Sequence, residues 1–437
     1  MTIFHHEIND RAIKDAHMPK RRLRYTIRLE IGVPVSGNEK NGRTGMDMKL
    51  REILELAVLD KAVSDVFIVA GLPVTMKCSG RQMCVKAGKL VPRGEMGEKD
   101  LAELKLKPKD IEELVEQIYA EGKRTRAKME REEDDDFSIS VSRRVDDKGG
   151  FPGGRFRVNV FRQRGTLAAV IRVIRFELPD PGELGISEEV LALADDKGDR
   201  TNRNGGLVLV TGAAGTGKST TLACMIDRIN RSRDCHIITM EDPIEYIHSH
   251  KKAIVTQREI SIDTPGYLEA LRSALRECPD VILLGEMRDY DTITAALIAA
   301  ETGVLVFSTL HTSSAADTIN RIVDVFPDKE QARTQLAQVL KAVVCQQLVP
   351  ATNKDGEGSS SRIPVFEIMK ATDAIQNMIR ENKVNQLNSA MQSGAGEGMC
   401  TMDGNLIRLC QEGKITKSTA LKYRTHYGYE YMEKRLG

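Results

Sequence analysis

Short segments in which apolar and polar residues alternate dominate the first part of the chain. They predict strands, separated by turn residues, at positions 66–69, 74–77, 138–142, 155–161 and 168–175. Apolar residues at helical spacing predict an amphipathic helix that begins near Met48. Residues 109–119 and the charged residues 122–136 also have helical composition, and we expect the charged stretch to be a solvated face. We therefore predict a small α+β domain over residues 46–177.

A different pattern begins after Gly206, where apolar strands alternate with helices. The predicted strands are residues 207–211, 237–240, 281–284 and 304–309. Such alternation is typical of an α/β domain with a largely parallel sheet. Glycine and serine residues within 352–361 predict a flexible hairpin loop, and helices are expected to fill most of residues 372–437. We assign this second domain to residues 206–437.

Two segments lie outside these domains. Residues 1–45 contain the basic cluster 20–24 and a polar, glycine-containing stretch, so we predict a disordered tail. An alternative is that Met46 or Met48 is the true start and that the tail is not part of the native protein. Residues 178–205 begin with a turn that contains proline and glycine and end in a polar run, which favours a linker between the domains.

Composition narrows the classes of function. Lysine plus arginine (64) nearly cancels aspartate plus glutamate (63), and 4% of the residues are aromatic, with no tryptophan. We therefore expect no nucleic-acid partner, since such partners are bound by basic surfaces and stacking rings. No apolar run reaches the roughly 18–20 residues of a membrane span, and the N-terminus lacks the apolar core of a secretory signal, so we expect a cytoplasmic protein. The 8 cysteines include no C-x-x-C pair, and we expect reduced thiols without a zinc site.

The strongest chemical motif is a glycine-rich loop with the pattern G-x-x-x-x-G-K-[ST]. An apolar strand runs into the loop and an apolar helical face follows it, so the loop opens a helix whose N-terminus points at phosphate groups. We expect Lys218 to contact the β- and γ-phosphates of ATP and the Ser219 hydroxyl to ligate Mg²⁺. The residues expected to bind nucleotide are Gly212, Ala213, Ala214, Gly215, Thr216, Gly217, Lys218, Ser219, Thr220 and Asp242.

Polar side chains follow three other predicted strands. Glu286 comes after strand 281–284, at the edge of a parallel sheet where ligands bind, and we assign it to Mg²⁺ or its water shell. Glu245, after strand 237–240, is the candidate that orients the attacking water, with Asp242 in support. Asp242 before Pro243 is also a common helix cap, and this alternative stays open. His311, after strand 304–309, is placed to sense the γ-phosphate or to hold a glutamate.

Four segments in this order make the pattern specific: GAAGTGKST, ITMEDPIEY, RECPDVILLGEMRD and ETGVLVFSTLHT. Together they resemble the Walker A, Asp box, Walker B and His box of the type II/IV secretion ATPase superfamily, and within it the PilT-type retraction ATPases of type IV pili. Further family-like strings extend the resemblance over about residues 46–400. The chain departs from the PilT-type pattern at Val304, which replaces the first histidine of the His box and leaves His311 alone.

The resemblance implies a PAS-like N-terminal domain, a RecA-like P-loop ATPase domain and a ring of six subunits. It also implies that ATP binds between the domains and that arginines of the N-terminal domain complete the site. Arg157, Arg164 and Arg172 match this region, and we expect at least one of them to stabilise charge on the transferring phosphoryl group. The implied partners are other copies of the chain and an inner-membrane platform protein of the PilC type, which would hold a cytoplasmic ring at the membrane periphery.

Within the superfamily, two features favour a retraction motor. Residues 374–381 resemble the AIRNLIRE signature of PilT-type motors, with Gln376 in place of its first arginine. The chain also has a short tail and no tetracysteine module, whereas extension and secretion members commonly carry a long N-terminal domain and such a module. Three alternatives stay open: an assembly or secretion ATPase of the same superfamily, a nucleic-acid translocase with a RecA-like core, and a nucleotide-binding ring subunit without catalytic activity.

Overall fold

In a computed structural model, two seven-stranded sheets organise the part of the chain that the structure describes. The structure describes residues 49–436 apart from 61, 79, 133, 142–152, 175–177, 196–204 and 353–357. The predicted tail and both alternative start methionines lie outside the described residues. Most of the polar run at the end of the predicted linker lies outside them as well.

The N-terminal sheet is antiparallel throughout, with the strand order β4-β3-β2-β1-β7-β6-β5. Its strands are β1 (Val63–Val69), β2 (Thr75–Cys78), β3 (Arg81–Lys86), β4 (Lys89–Pro92), β5 (Asp134–Val141), β6 (Gly154–Gln163) and β7 (Thr166–Ile174). The accompanying helices are α1 (Leu50–Leu59), α2 (Glu98–Glu103), α3 (Pro108–Glu121) and α4 (Ala127–Glu132). The apolar stripes of α1 and α3, which include the fully buried Ile53 and Ile118, join the sheet in one core.

The structure contains all five strands predicted in this part and corrects two expectations. No pattern predicts β3 and β4, because these short strands carry mainly exposed or half-buried residues and so lack a clear alternation. The charged residues 122–136 are helical only in α4, and their last residues already belong to β5. Asp135 is buried there and accepts a hydrogen bond from the Tyr119 hydroxyl at 3.3 Å, so the stretch is not uniformly solvated.

The C-terminal sheet has the order β10-β9-β11-β12-β8-β13-β14 and is parallel except for β14. Its strands are β8 (Gly206–Thr211), β9 (His236–Glu241), β10 (Ile254–Glu259), β11 (Val281–Leu284), β12 (Leu305–Leu310), β13 (Leu340–Thr352) and β14 (Gly358–Lys370). The helices that follow α4 are α5 (Glu188–Leu191), α6 (Lys218–Ser232), α7 (Tyr267–Ala274), α8 (Tyr290–Glu301), α9 (Ala315–Asp324), α10 (Lys329–Val339), α11 (Asp373–Arg380), α12 (Leu387–Ser393), α13 (Met402–Gln411), α14 (Lys417–Tyr423) and α15 (Tyr429–Arg435).

Apolar cores lie on both faces of the C-terminal sheet, and every residue of β8, β11 and β12 is buried. This explains why these strands read as continuous apolar runs. The mixed α/β architecture, with a smaller α+β part before the larger parallel sheet, confirms the predicted fold class. The predicted loop 352–361 is too long, since β13 includes Thr352 and β14 begins at Gly358, and residues 353–357 lie outside the described part.

Two buried carboxylates hold the C-terminal helices. Glu367 on β14 accepts the backbone N–H of Ala315 at 2.7 Å and that of Met402 at 3.3 Å, at the first residues of α9 and α13. Asp403 accepts the N–H groups of His426 and Tyr427, at 2.7 and 2.6 Å. In the part of the chain that the structure describes, no helix combines the length and apolar character that a bilayer crossing needs.

Candidate nucleotide-binding site

The P-loop between β8 and α6 takes a shape that depends on glycine. Gly215 and Gly217 have φ values of 74° and 89°, which other residues rarely adopt. A Cβ atom on Gly212 would lie 2.3 Å from the carbonyl oxygen of Gln346, so no side chain fits there. The Lys218 ammonium donates to the carbonyls of Gly212 at 2.9 Å and Ala213 at 3.0 Å, and it therefore lies folded inside the loop.

The buried Gln346 on β13 braces this loop, and the motif analysis missed it. Its side-chain Nε2 donates to the Thr216 carbonyl at 2.8 Å, and its Oε1 accepts from the Thr221 hydroxyl at 2.8 Å. One amide thus joins the loop to the first turn of α6. The sequence does carry a trace of this role, because Gln346 and Gln347 interrupt the apolar run of a central strand, where a polar side chain must find partners.

A cleft of about 250 Å³ opens beside the P-loop, where the chain leaves β9, β11 and β12. It brings together predicted residues from all four motifs. Those that line it are Ala214, Gly215, Lys218, Ser219, Asp242, Glu245, Glu286 and His311. Burial lowers the pKa of Lys218, while the charges of Glu286 and Glu245 oppose this change. The other P-loop residues, Gly212, Ala213, Thr216, Gly217 and Thr220, form the loop and the start of α6 next to the cleft.

Glu286 follows β11, and its carboxylate contacts an imidazole and a guanidinium group. His311 Nε2 lies 3.4 Å from one carboxylate oxygen, and the Arg288 guanidinium forms an ion pair with the other. His311 therefore does contact a glutamate of the cleft. Val304, which replaces the first histidine of the His box, is only 7% exposed and packs in the apolar core. In this chain it is therefore a packing residue.

The segment after β9 carries Asp242 and Glu245 into the cleft. No helix starts after Asp242, so the structure contradicts the capping alternative. Glu241, at the end of β9, is partly buried, and loss of solvent contact raises the pKa of its carboxyl to about 7. It accepts a hydrogen bond of 2.7 Å from the Thr239 hydroxyl. Farther along, the Tyr246 hydroxyl lies 3.0 Å from the Thr220 hydroxyl, which connects this segment to the P-loop helix.

Two of the three predicted arginines meet Glu245 in a second cleft of about 250 Å³. Arg157 and Arg172 are direct partners across β6 and β7, and both line this cleft together with Glu245 and Tyr246. Each is held by a carboxylate of its own sheet: Arg157 Nε donates to Asp136 at 3.0 Å, and Arg172 Nε to Asp65 at 3.1 Å. The hydrogen bonds to Asp136 raise the pKa of Arg157.

Arg164 stands apart from this arrangement. It occupies the exposed turn between β6 and β7 with a φ of 47° and lines neither cleft. Arg155, which the sequence analysis did not single out, does reach across to the C-terminal sheet. Its Nη2 lies 2.6 Å from Glu259 Oε2 on β10.

The helix with the retraction-type signature, α11, lies away from both clefts. Ile375 and Ile379 are fully buried, so its apolar stripe serves packing. The polar residues at its end make local contacts: Arg380 Nη1 donates to Asn377 Oδ1 at 2.6 Å, and Glu381 pairs with Lys383 at 2.6 Å.

The chain is similar to known proteins. A profile of the family described as type II/IV secretion system protein matches residues 154–408. The chain is 42% identical over 377 residues to the type IV pilus retraction ATPase PilT of Pseudomonas aeruginosa. The matched region covers 85% of this chain and 97% of that protein. It is 38% identical to the type IV pilus ATPase PilU of the same organism, over 86% of this chain and 88% of that protein. A crystal structure of the pilus retraction motor PilT with bound ADP matches at 41% identity with a TM-score of 0.72, over 88% of this chain and 99% of that one.

Proposed function

The chain belongs to the type II/IV secretion system protein family and is an ATPase, and we propose that it is the motor that powers retraction of a type IV pilus. The observation that carries the proposal for the site is the position of Glu245. This one carboxylate lines both the cleft beside the P-loop and the second cleft, which Arg157 and Arg172 line. A γ-phosphate held by the P-loop would therefore lie near a carboxylate that can accept the proton of the attacking water, and the same carboxylate borders the cleft that Arg157 and Arg172 line.

We assign the catalytic roles as follows from the positions of the side chains. Lys218 leaves its two carbonyl partners to place its charge on the β- and γ-phosphates. Glu245 orients the attacking water and accepts its proton. Arg157 and Arg172 stabilise the charge that spreads over the phosphoryl oxygens in the transition state. His311 holds Glu286 in place through their contact of 3.4 Å.

The residues around the P-loop also fit Mg²⁺. This ion prefers oxygen ligands, and the cleft offers the Ser219 hydroxyl and the carboxylates of Glu286 and Asp242. We propose that Ser219 and Glu286 hold it, directly or through water. The bound ion would supply charge neutralisation for the phosphate oxygens.

The pilus assignment is supported by the similarity to PilT, which extends over 85% of this chain and 97% of PilT. We propose that the chain assembles into a hexamer, that a platform protein of the PilC type in the inner membrane is its partner, and that the ring works in the cytoplasm at the membrane periphery. Nucleic acid is not required for this activity.

Two experiments test the proposal. The purified wild type should hydrolyse ATP at the same rate with and without DNA, whereas Glu286→Ala should be inactive; strong stimulation by DNA would point to a translocase. Deleting the gene should leave cells with surface pili that do not shorten, and restoring it as Lys218→Ala should not rescue shortening. Complete loss of pili in the deletion strain would identify an assembly motor instead.

A further inference from the structure

Strand β10 holds the segment that carries Glu245. Its Gln257 donates from Nε2 to the Tyr246 carbonyl at 2.9 Å and accepts the His248 N–H on Oε1 at 2.7 Å. The segment after β9 is thus attached to β10 by an amide that satisfies one acceptor and one donor of its backbone. None of the sequence motifs assigns a role to this strand.

Glu259, two residues farther along β10, makes a contact of a different kind. Its Oε2 atom accepts the backbone N–H of Ile244 at 3.1 Å and, at the same time, pairs with the Arg155 guanidinium at 2.6 Å. The carboxylate side chain is 3% exposed and that of Arg155 18%. A buried charge of this kind depends strongly on its partner, because water cannot replace the partner when it leaves.

The two donors to Glu259 come from the two halves of the catalytic arrangement. Ile244 directly precedes Glu245, and its N–H belongs to the Pro243–Ile244 peptide group, so Oε2 fixes the backbone one residue before the catalytic carboxylate. Arg155 lies on β6 two residues before Arg157, on the same face of the strand. A single oxygen atom therefore connects the arginine strand of the N-terminal sheet to the backbone beside Glu245.

We propose that Glu259 is a positioning residue that places Glu245 for catalysis only while Arg155 of the N-terminal sheet is bound to it. When Arg155 moves away, the negative charge on Glu259 is left without its cationic partner, and the Pro243–Ile244 peptide beside Glu245 loses its fixed anchor. The position of the N-terminal sheet would thereby set the hydrolytic rate without any contact between Arg155 and ATP. This inference rests on the proposed role of Glu245 in ATP hydrolysis.

The test compares three variants of the full-length chain. Glu259→Gln keeps the size of the side chain but removes its charge, and Arg155→Gln removes the other partner. Arg258→Gln is the matched control, because Arg258 is the neighbour of Glu259 on β10 and pairs with Glu277 at 3.3 Å within the C-terminal domain. For the first two variants we expect kcat to fall by about tenfold or more while the Kd for a non-hydrolysable ATP analogue changes by less than about threefold. The control should stay within about twofold of the wild type for both quantities.

Two further measurements separate positioning from general stability. Arg155→Lys, which restores the positive charge, should recover part of the lost kcat. The double variant Arg155→Gln with Glu259→Gln should be no slower than the slower single variant, since both changes break the same contact. Multiplicative losses in the double variant, or single variants as active as Arg258→Gln, would overturn the proposal.

Amide hydrogen exchange gives a readout that does not need catalysis. Exchange at residues 244–248 should become faster in Arg155→Gln and Glu259→Gln than in the wild type, with no matching change in the Arg258→Gln control. Unchanged exchange in this segment would overturn the inference even if activity fell. If the wild type itself failed to hydrolyse ATP, the proposed function would be wrong, and the exchange data would still decide whether Arg155 fixes the segment.

Discussion

The side-chain amide of Gln346 donates a hydrogen bond of 2.8 Å to the backbone carbonyl of Thr216, in the middle of the P-loop. Because the same amide accepts from Thr221 on the first turn of α6, the loop and the helix are held from a neighbouring strand. The phosphate-binding shape of the loop therefore depends on a residue about 130 positions away in sequence.

This contact predicts the behaviour of Gln346→Glu. Glutamate has the same shape and can still accept from Thr221, but it cannot donate to Thr216 while ionised and would face its carbonyl oxygen. We expect kcat/KM for ATP to fall by about tenfold, with most of the change in KM, and stability to fall by about 1–3 kcal/mol. Steady-state kinetics and urea unfolding would measure both, with Gln347→Glu, on the same strand, as the control. Equal kinetics for both variants would contradict the role of Gln346.

Lys218→Ala should abolish hydrolysis and weaken nucleotide binding. The substitution removes the charge that is placed on the β- and γ-phosphates and also empties a position that is nearly buried, at 8% exposure. ATPase assays and equilibrium binding of labelled ATP would test this. Substantial residual turnover would mean that another cation performs this role.

Glu245→Gln should separate binding from turnover. The amide keeps the size of the side chain but accepts a proton far less readily, so ATP should bind normally while kcat falls by about 10² or more. Single-turnover hydrolysis alongside a binding assay would test this. A kcat within a few-fold of the wild type would remove Glu245 from the role of water-orienting base.

Arg157→Gln and Arg172→Gln should each lower kcat by about tenfold or more, because both guanidinium groups line the cleft that Glu245 shares. Arg162→Gln is a suitable control, since Arg162 is exposed on β6, the strand of Arg157, and lines neither cleft. Measuring Arg164→Gln in the same series would decide whether the exposed turn contributes. Full activity of both cleft variants would leave the site without its arginines.

The pair of His426 and Glu367 predicts a pH dependence of stability. The hydrogen bond to Glu367 raises the pKa of His426 above its ordinary value of 6.5. The folded chain thus binds this proton more tightly than the unfolded chain, so the stabilisation is fully present below pH 6.5 and is lost as the pH rises through the folded pKa. The wild type should therefore exceed His426→Gln in free energy of unfolding by more at about pH 5.5 than at about pH 8.5. Denaturant unfolding at both pH values would show this; a constant difference would contradict it.

The sequence alone predicted the elements that have regular and buried patterns. The central strands β8, β11 and β12 are apolar at every position, and the P-loop lies between a strand and a helix, so both could be recognised locally. The contacts of Glu259 and Gln346 could not be found this way. They join residues about 104 and 130 positions apart, and nothing in the local spacing says which strand will be the neighbour.

Arg164 and Arg155 show the same limit within one hairpin. Both belong to the arginine-rich string from Gly154 to Gly165, and by composition neither is preferred. The register of β6 with its neighbours decides the outcome: Arg155 lies inside the strand and reaches Glu259, whereas Arg164 falls in the turn. The direction of a side chain in a sheet depends on a register that one strand does not encode by itself.

Glu367 and Asp403, the two carboxylates that hold the C-terminal helices, determine how far the chain can be truncated from its C-terminal end. Asp403 is fully buried, and the backbone N–H groups of Thr425, His426 and Tyr427 surround it. Cutting the chain before these residues would leave the buried charge of Asp403 without its hydrogen-bond donors. It would also remove His426 from Glu367, the residue that anchors the helix after the His311 loop. The last helices are thus a built-in component of the catalytic unit, and purification tags belong beyond α15, not in place of it.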